Sequence, residues 1–146
     1  MIDYHSEVVV NRPVEQVFQL AADMARIDEW TDMKGTHLIT DGSLKVGSQI
    51  ETTLRLGPSK QTLIFEVVDF EKNRRLGWKT TSKGALAWDA IYLFEPQGDQ
   101  ATKVVSSGQL RLNGVLKLSE PLMAGEVRSG EAKELIRFKE LVEGQN

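Results

Sequence analysis

Apolar and polar residues alternate over much of the chain, and this period of two predicts that strands dominate the fold. Residues 4–11 end in the β-branched run Val8, Val9 and Val10 and predict a first strand. After Pro13 the period becomes that of a short amphipathic helix. Its apolar face consists of Val14, Val17, Phe18 and Ala21. A second helical segment is predicted over residues 24–30.

A run of hairpins is predicted over residues 36–112. Turn-forming residues divide this run at residues 41–43, 57–59, 71–73, 83–84 and 96–99. Charged residues mark one side of each strand as the solvent side, so the alternate positions form an inner side and predict a single antiparallel sheet. The inner positions are Ile50, Thr52, Leu54, Leu63, Phe65, Val67, Leu76, Trp78, Thr80, Leu86, Trp88, Ala90, Tyr92, Phe94, Val104, Ser106, Gly108, Leu110 and Leu112.

A long helix is predicted over residues 118–143, with one apolar stripe that should close over the sheet. The stripe consists of Met123, Val127, Leu135, Phe138, Leu141 and Val142. Glu131 interrupts it, four residues from both Val127 and Leu135, where an apolar residue is expected. Gly125 and Gly130 lower helix propensity, which indicates a close approach, space for a ligand or a frayed first half.

Composition narrows the possible chemistry. The 146 residues include 18 Lys and Arg against 21 Asp and Glu, and a net charge of −3 argues against a nucleic-acid partner. The sequence has no Cys, which excludes a disulfide framework, a thiol nucleophile and cysteine-bound metals. His5 and His37 are far apart, so neither a metal site nor a cofactor is predicted.

The sequence also bears on location. No segment approaches the ~20 consecutive apolar residues of a membrane span. The first residues lack the basic and apolar regions of a secretory signal. A cytoplasmic protein without stable membrane insertion is therefore expected.

Several segments resemble the START-like superfamily, specifically its polyketide cyclase/dehydrase and lipid-transport group. VVNRPVEQVF at residues 9–18 is similar to the opening P-x-x-x-V-[WF] of that group, and Trp30 follows the second helical segment. VVDFEKNRRLGW at residues 67–78 resembles its central hairpin. Phe94-Glu95-Pro96 with Gly98 and Thr102 matches further positions, and LIRFKELVE at residues 135–143 resembles its final helical turns.

The predicted order of strand, two helices, six strands and helix is that of the helix-grip fold. The fold class is thus expected to be α+β, with a curved antiparallel sheet of about seven strands wrapped around a long C-terminal helix. Residues 1–146 are expected to form a single START-like ligand-binding domain. The resemblance further implies a deep cavity between sheet and helix, which holds lipids, hormones, polyketides and other apolar molecules across the superfamily.

Candidate site residues come from the inner sides of these elements. Residue types alone favour a packed core, and the resemblance favours a cavity of roughly a few hundred Å³. The predicted ligand-binding residues are Trp30, Thr52, Leu54, Phe65, Trp78, Thr80, Trp88, Tyr92, Ser106, Met123, Val127 and Glu131. Trp30 is expected near the entrance, or else as an anchor of the short helix. Glu131 is expected either inside, orienting a polar group of the ligand, or at the mouth in water.

Three functions are compatible with this pattern. The first is the binding of a small hydrophobic or amphipathic molecule, such as a lipid or polyketide. The second is a cyclase or dehydratase working in the same cavity, for which Tyr92 and Glu131 are the catalytic candidates. The third is a chaperone-activator-like module whose protein partner is not indicated. Since an enzyme of this kind needs several inward titratable groups and the sequence indicates only those two, the binding function is favoured.

Overall fold

A seven-stranded antiparallel sheet and a long C-terminal helix form the framework of the computed structural model, which describes residues 1–56, 59–81, 84 and 86–145. Neighbouring strands in the sheet follow the order β1-β7-β6-β5-β4-β3-β2, so only β1 leaves the sequential meander. The elements are β1 Ile2–Val10, α1 Val14–Ala21, β2 Lys34–Leu38, β3 Gln49–Leu56, β4 Ser59–Glu71, β5 Arg75–Thr80, β6 Leu86–Pro96, β7 Thr102–Leu112 and α2 Glu120–Glu143. This architecture confirms the predicted α+β helix-grip fold.

The predicted inner side of the sheet is confirmed. Most of the positions assigned to it are buried and the others are half-buried, whereas the charged positions between them are half-buried or exposed. The period of two is sufficient for this because a strand presents successive side chains to opposite sides. A register shift between Val67 and Asp69 bends β4, and the pairing with β5 continues beyond it. The turns expected at residues 57–58 and at Lys83 lie outside the described residues.

Helix α1 packs its apolar face on the sheet as predicted. Phe18 contacts Phe70 and Phe94 edge to face, with ring centroids 5.6 Å and 5.1 Å apart. The second helical segment is shorter than predicted, because only Ile27–Glu29 forms a 3-10 turn. The Asp23 side chain offers the backbone a local alternative to a helix here, because it accepts a hydrogen bond from Ala25 N–H.

Helix α2 begins two residues later than expected, after a 3-10 segment over Gly114–Ser119. Its second half is anchored in the core, where Leu135, Phe138 and Val142 are buried. Its first half is less covered, and Met123 and Val127 are only partly buried. The Glu120 carboxylate accepts a hydrogen bond from Leu112 N–H at 3.1 Å, which fixes the start of the helix against the end of β7.

Candidate functional site

A cavity of about 720 Å³ lies between the inner side of the sheet and helix α2. It forms where the first half of the helix stands away from the sheet. Residues from all seven strands and from the segment before β2 complete its walls. Seven of the predicted site residues line it: Leu54, Trp78, Trp88, Tyr92, Met123, Val127 and Glu131.

Five predicted site residues do not border this cavity. Phe65 is buried and packs edge to face against Trp78 and Trp88, with centroid separations of 6.4 Å and 6.3 Å, so it supports the wall without forming it. Thr80 accepts a hydrogen bond from Trp88 N–H at 3.1 Å. The remaining three are Trp30, Thr52 and Ser106, of which Thr52 bonds to Thr36 and Ser106 lies opposite Tyr92 in the β6–β7 register.

The entrance position expected for Trp30 is wrong. Its side chain is 1% exposed and packs edge to face on Phe138 at 4.7 Å and on Tyr92 at 5.7 Å. Trp30 therefore anchors the segment before β2 to the core, in agreement with the second possibility from the sequence, an anchor of the short helix. The physical reason is that the chain after α1 turns inward at the 3-10 turn Ile27–Glu29 instead of continuing as a surface helix.

One wall of the cavity is aromatic. Trp88 Nε1–H donates to the Tyr4 hydroxyl at 2.8 Å, and the two rings meet edge to face. Trp78 and Tyr92 form a second, tilted pair with centroids 5.6 Å apart. Gly108 lies opposite Tyr4 in the β1–β7 register, and a side chain there would collide with the tyrosine ring. The missing side chain of Gly108 thus makes room for Tyr4 at the wall.

The helix side of the cavity carries two buried carboxyl groups, Glu131 and Glu134. Each residue is 7% exposed, and the Oε2 atom of each has no hydrogen-bond partner among the residues that the structure describes. No basic side chain in the described ranges forms an ion pair with either group. Arg137, on the same helix, donates to the Trp30 carbonyl and to Asp32, both at 3.2 Å.

Burial governs the protonation of this carboxyl pair. Desolvation raises the pKa of Glu131 above its ordinary value, although its interaction with Glu134 partly opposes the rise. Desolvation raises the pKa of Glu134 well above its ordinary value, and the charge of Glu131 adds to the effect. Because burial and the interaction of the two groups disfavour the loss of both protons, the pair favours a state that retains one proton.

The two tyrosines provide neutral hydroxyl groups beside the carboxyl pair. Burial raises the pKa of Tyr4, and the charge of Glu131 contributes to the rise. Burial likewise raises the pKa of Tyr92 well above its ordinary value. The charges of Glu134 and Glu131 raise it further. The inner walls therefore combine two carboxyl groups with two phenols, more titratable groups than the sequence indicated.

Sequence reasoning missed Tyr4 and Glu134. Tyr4 was detectable, because it alternates with the exposed residues His5 and Asp3 on the first strand and so belongs to the inner side. Glu134 lies in a charged segment that indicates a solvated helix face. Its spacing carried the contrary signal, since it lies three residues after Glu131 and four before Phe138, the i, i+3 and i+4 relations of one helix face.

The family model for polyketide cyclase/dehydrase and lipid transport matches residues 1–143, almost the whole sequence. The chain belongs to this family. Comparison with curated protein sequences gives no significant match. A shared fold can carry different activities. The chemistry of this member of the polyketide cyclase/dehydrase and lipid transport family must therefore be argued from its own residues.

Solved structures show the same fold at low sequence identity. The protein TTHA0849 from Thermus thermophilus matches with a TM-score of 0.81 and 16% identity, covering 96% of each chain. A START superfamily protein from Mycobacterium smegmatis matches with a TM-score of 0.75 and 16% identity over 95% of this chain and 98% of its own. The Zhui aromatase/cyclase from Streptomyces sp. R1128 matches with a TM-score of 0.74 and 10% identity, covering 97% and 91%.

Two further properties concern the described part of the chain alone. None of its helices is long and apolar enough to cross a membrane. Likewise, no three or more of its His, Asp and Glu side chains are grouped as they would be to hold a metal ion.

Proposed function

We propose that the chain binds a small amphipathic molecule in the cavity, with its apolar body against the aromatic wall and a polar group at Glu131 and Glu134. The observation that carries this proposal is the pair of buried, unpartnered carboxyl oxygens facing a cavity of about 720 Å³. This volume lies within the range of small-molecule sites, which combine mostly apolar walls with a few placed polar groups.

The energetics of the empty site support a polar contact from the ligand. A buried polar atom without a partner costs about 1–3 kcal/mol, and more when it is charged. Replacing Glu131 or Glu134 by an apolar residue would remove this cost, so retaining both groups is disadvantageous for stability alone. A ligand that hydrogen-bonds to them recovers part of the cost on binding.

A direct test looks for a bound molecule. Native mass spectrometry of the purified protein should reveal a co-purified small molecule. Thermal unfolding with a panel of fatty acids, aromatic amines and planar ketones should show an increased melting temperature for at least one class, because a ligand at 100 times its Kd stabilises by ~2.7 kcal/mol. Absence of both signals across this panel would contradict the proposal and favour the protein-interaction alternative.

A substitution at Glu131 sharpens this test. Glu131→Leu should stabilise the ligand-free protein and weaken the binding of a probe from the panel, since it removes both the buried carboxyl group and its hydrogen bonds. The matched control is Glu140→Leu on the exposed side of the same helix. If Glu131→Leu and Glu140→Leu change stability and affinity equally, Glu131 has no role in binding.

A second function, catalysis of cyclisation or dehydration, is favoured by the two carboxyl groups and two phenols on the inner walls. In dehydration of a β-hydroxy ketone, a carboxylate removes the proton next to the carbonyl while a carboxylic acid protonates the hydroxyl group. A carbon–carbon double bond forms and water leaves. One carboxyl group of the pair as base and the other as acid suit these roles, because burial raises the pKa of both and favours a pair that retains one proton.

The enzymatic function has its own test. The aldol adduct of benzaldehyde and acetone should be dehydrated to benzylideneacetone, followed by the absorbance of the conjugated product. Glu131→Gln and Glu134→Gln should each abolish the reaction, whereas Glu140→Gln should leave it unchanged. Binding of the adduct without turnover would be consistent with the binding function and would contradict the enzymatic function.

The cytoplasmic location expected from the sequence stays a prediction.

A further inference from the structure

The charges around the carboxyl pair are predominantly negative. Four acidic residues border the cavity on the side of α2: Asp32, Glu126, Glu131 and Glu134. Arg137 is directed to the Trp30 carbonyl and Asp32 instead. Lys34, Arg55 and Lys60 border the cavity on the side of β2, β3 and β4, and none of them is within ion-pair distance of Glu131 or Glu134 in the described chain. The pair thus has no direct ion-pair partner in the described chain, and the charge of Arg137, which is paired with Asp32, only partly offsets the raised pKa of each group.

The aromatic wall facing this acidic side adds a second preference. Trp78, Trp88, Tyr4 and Tyr92 all border the cavity. The π face of an indole or phenol attracts a positive charge held within about 6 Å of the ring centre, most strongly where water is excluded. Aromatic faces and carboxylates together form the type of site that recognises ammonium groups.

We propose that the polar group held between Glu131, Glu134 and the aromatic wall is a cationic nitrogen, so that the ligand is an amphipathic amine. This inference rests on the proposed binding function and specifies its ligand class. An ammonium group donates two or three hydrogen bonds and supplies the missing counter-charge, and each buried carboxyl group has one oxygen free to accept. A neutral alcohol supplies a single donor and no charge, and a ketone supplies only an acceptor.

The direction of the pH dependence separates the ligand classes. An ammonium ligand stabilises the ionised carboxyl pair, so its binding releases a proton from the pair, and its affinity increases as pH rises. A ketone accepts a hydrogen bond from the protonated pair, so its affinity decreases as pH rises. The other ionisable groups that face the pair are Tyr4 of β1, Tyr92 of β6, Asp32 of the preceding segment, and Glu126 and Arg137 of α2.

The experiment compares probes with the same apolar body and different polar groups. Calorimetric titration of phenylbutylamine, phenylbutanol, benzylacetone and phenylbutanoate from about pH 5 to about pH 8 covers the ammonium, alcohol, ketone and carboxylate classes. The amine should bind at least about tenfold more tightly than the alcohol at the upper end of this range, with an affinity that rises with pH. The carboxylate should bind most weakly of the four.

Variants of Glu131 and Glu134 test whether the carboxyl pair causes the tighter binding of the amine. The double variant Glu131→Gln and Glu134→Gln should lower amine affinity to about that of the alcohol, and should lower alcohol affinity far less, because the alcohol loses no charge interaction. Glu140→Gln is the control, and the two single variants replace the double one if it does not fold. Equal affinity for amine and alcohol, or amine affinity that falls with rising pH, overturns the inference and leaves the binding function intact. Absence of binding by all four probes contradicts the binding function itself.

Discussion

The two halves of helix α2 differ in how they meet the sheet. Residues 131–143 place Leu135, Phe138 and Val142 in the core, each no more than 2% exposed. In residues 120–130, Leu122 is 85% exposed, and this half borders the cavity together with Glu131 and Glu134 at the start of the other half. The comparison shows that the second half anchors the helix, and that space for a ligand exists because the first half is held in place without filling the interior.

The largest expected effect comes from the anchoring half. Phe138→Ala removes a ring that packs on Trp30 with centroids 4.7 Å apart, so it should lower the free energy of unfolding by about 3–5 kcal/mol. Urea denaturation measures this value. The matched change in the other half, Leu122→Ala, should alter it by no more than about 0.5 kcal/mol. A similar loss in both variants would show that the two halves contribute equally to stability.

The next effect concerns Glu131 and Glu134, which begin the anchoring half. Because burial raises the pKa of both groups above that in the unfolded chain, the folded protein binds more protons once pH exceeds the ordinary carboxyl pKa. The free energy of unfolding should therefore decrease as pH rises from there through the raised pKa values, by ~1.4 kcal/mol for each unit of pKa shift.

Thermal unfolding of the Gln variants checks this direction. Glu131→Gln with Glu134→Gln should flatten the decrease, whereas Glu140→Gln should retain it. A wild-type stability that increases over this pH range would mean that the pair is stabilised in its ionised form, and would contradict the assignment of a retained proton.

The smallest effect is expected at the two glycines of the open half. An added Cβ at Gly125 meets no atom within 4 Å, and at Gly130 it meets only Asp32 Oδ2 at 4.0 Å. Gly125→Ala and Gly130→Ala should thus each raise the free energy of unfolding by up to ~1 kcal/mol, through helix propensity alone. Only Gly130 borders the cavity, so only its substitution should also weaken ligand binding. Equal affinities in both variants would separate Gly130 from the site.

The space around Gly125 and Gly130 bears on why glycine stands at these two helix positions. A close approach of another element is wrong for both, because neither Cβ would meet a neighbouring backbone. At Gly130, which borders the cavity, the remaining explanation is that the missing side chain leaves room for a ligand. At Gly125 the structure offers no neighbour that requires glycine.

The fold followed from the sequence because its signals are local and repeated. Inner residues such as Leu54 and Leu110 are flanked by polar positions, and the period of two assigns their side without knowledge of the partner strand. The site was less predictable because it depends on distances between elements. Trp30 and Phe65 were expected at the cavity since they are inward aromatics, yet packing with other rings withdraws them from it.

The acidic character of the site shows this limit most directly. Glu134 lies among charged residues of α2, and composition alone assigns such a segment to solvent. Only the position of the helix relative to Tyr92 and Tyr4 buries it. A carboxyl group that is buried against expectation is therefore the feature of this sequence that most required a structure.

The pairing of β1 with β7 has a consequence for how the domain assembles. Strands β2 to β7 can pair hairpin by hairpin, whereas Ile2 must find Leu110 across most of the chain, which carries the larger loop-closure entropy. The polar end of the cavity combines Tyr4 from the first strand with Glu131 and Glu134 from the last helix. A partly folded chain that contains only the meander lacks this chemistry, so the site that we propose for the ligand's polar group is assembled only when β1 and α2 join the meander.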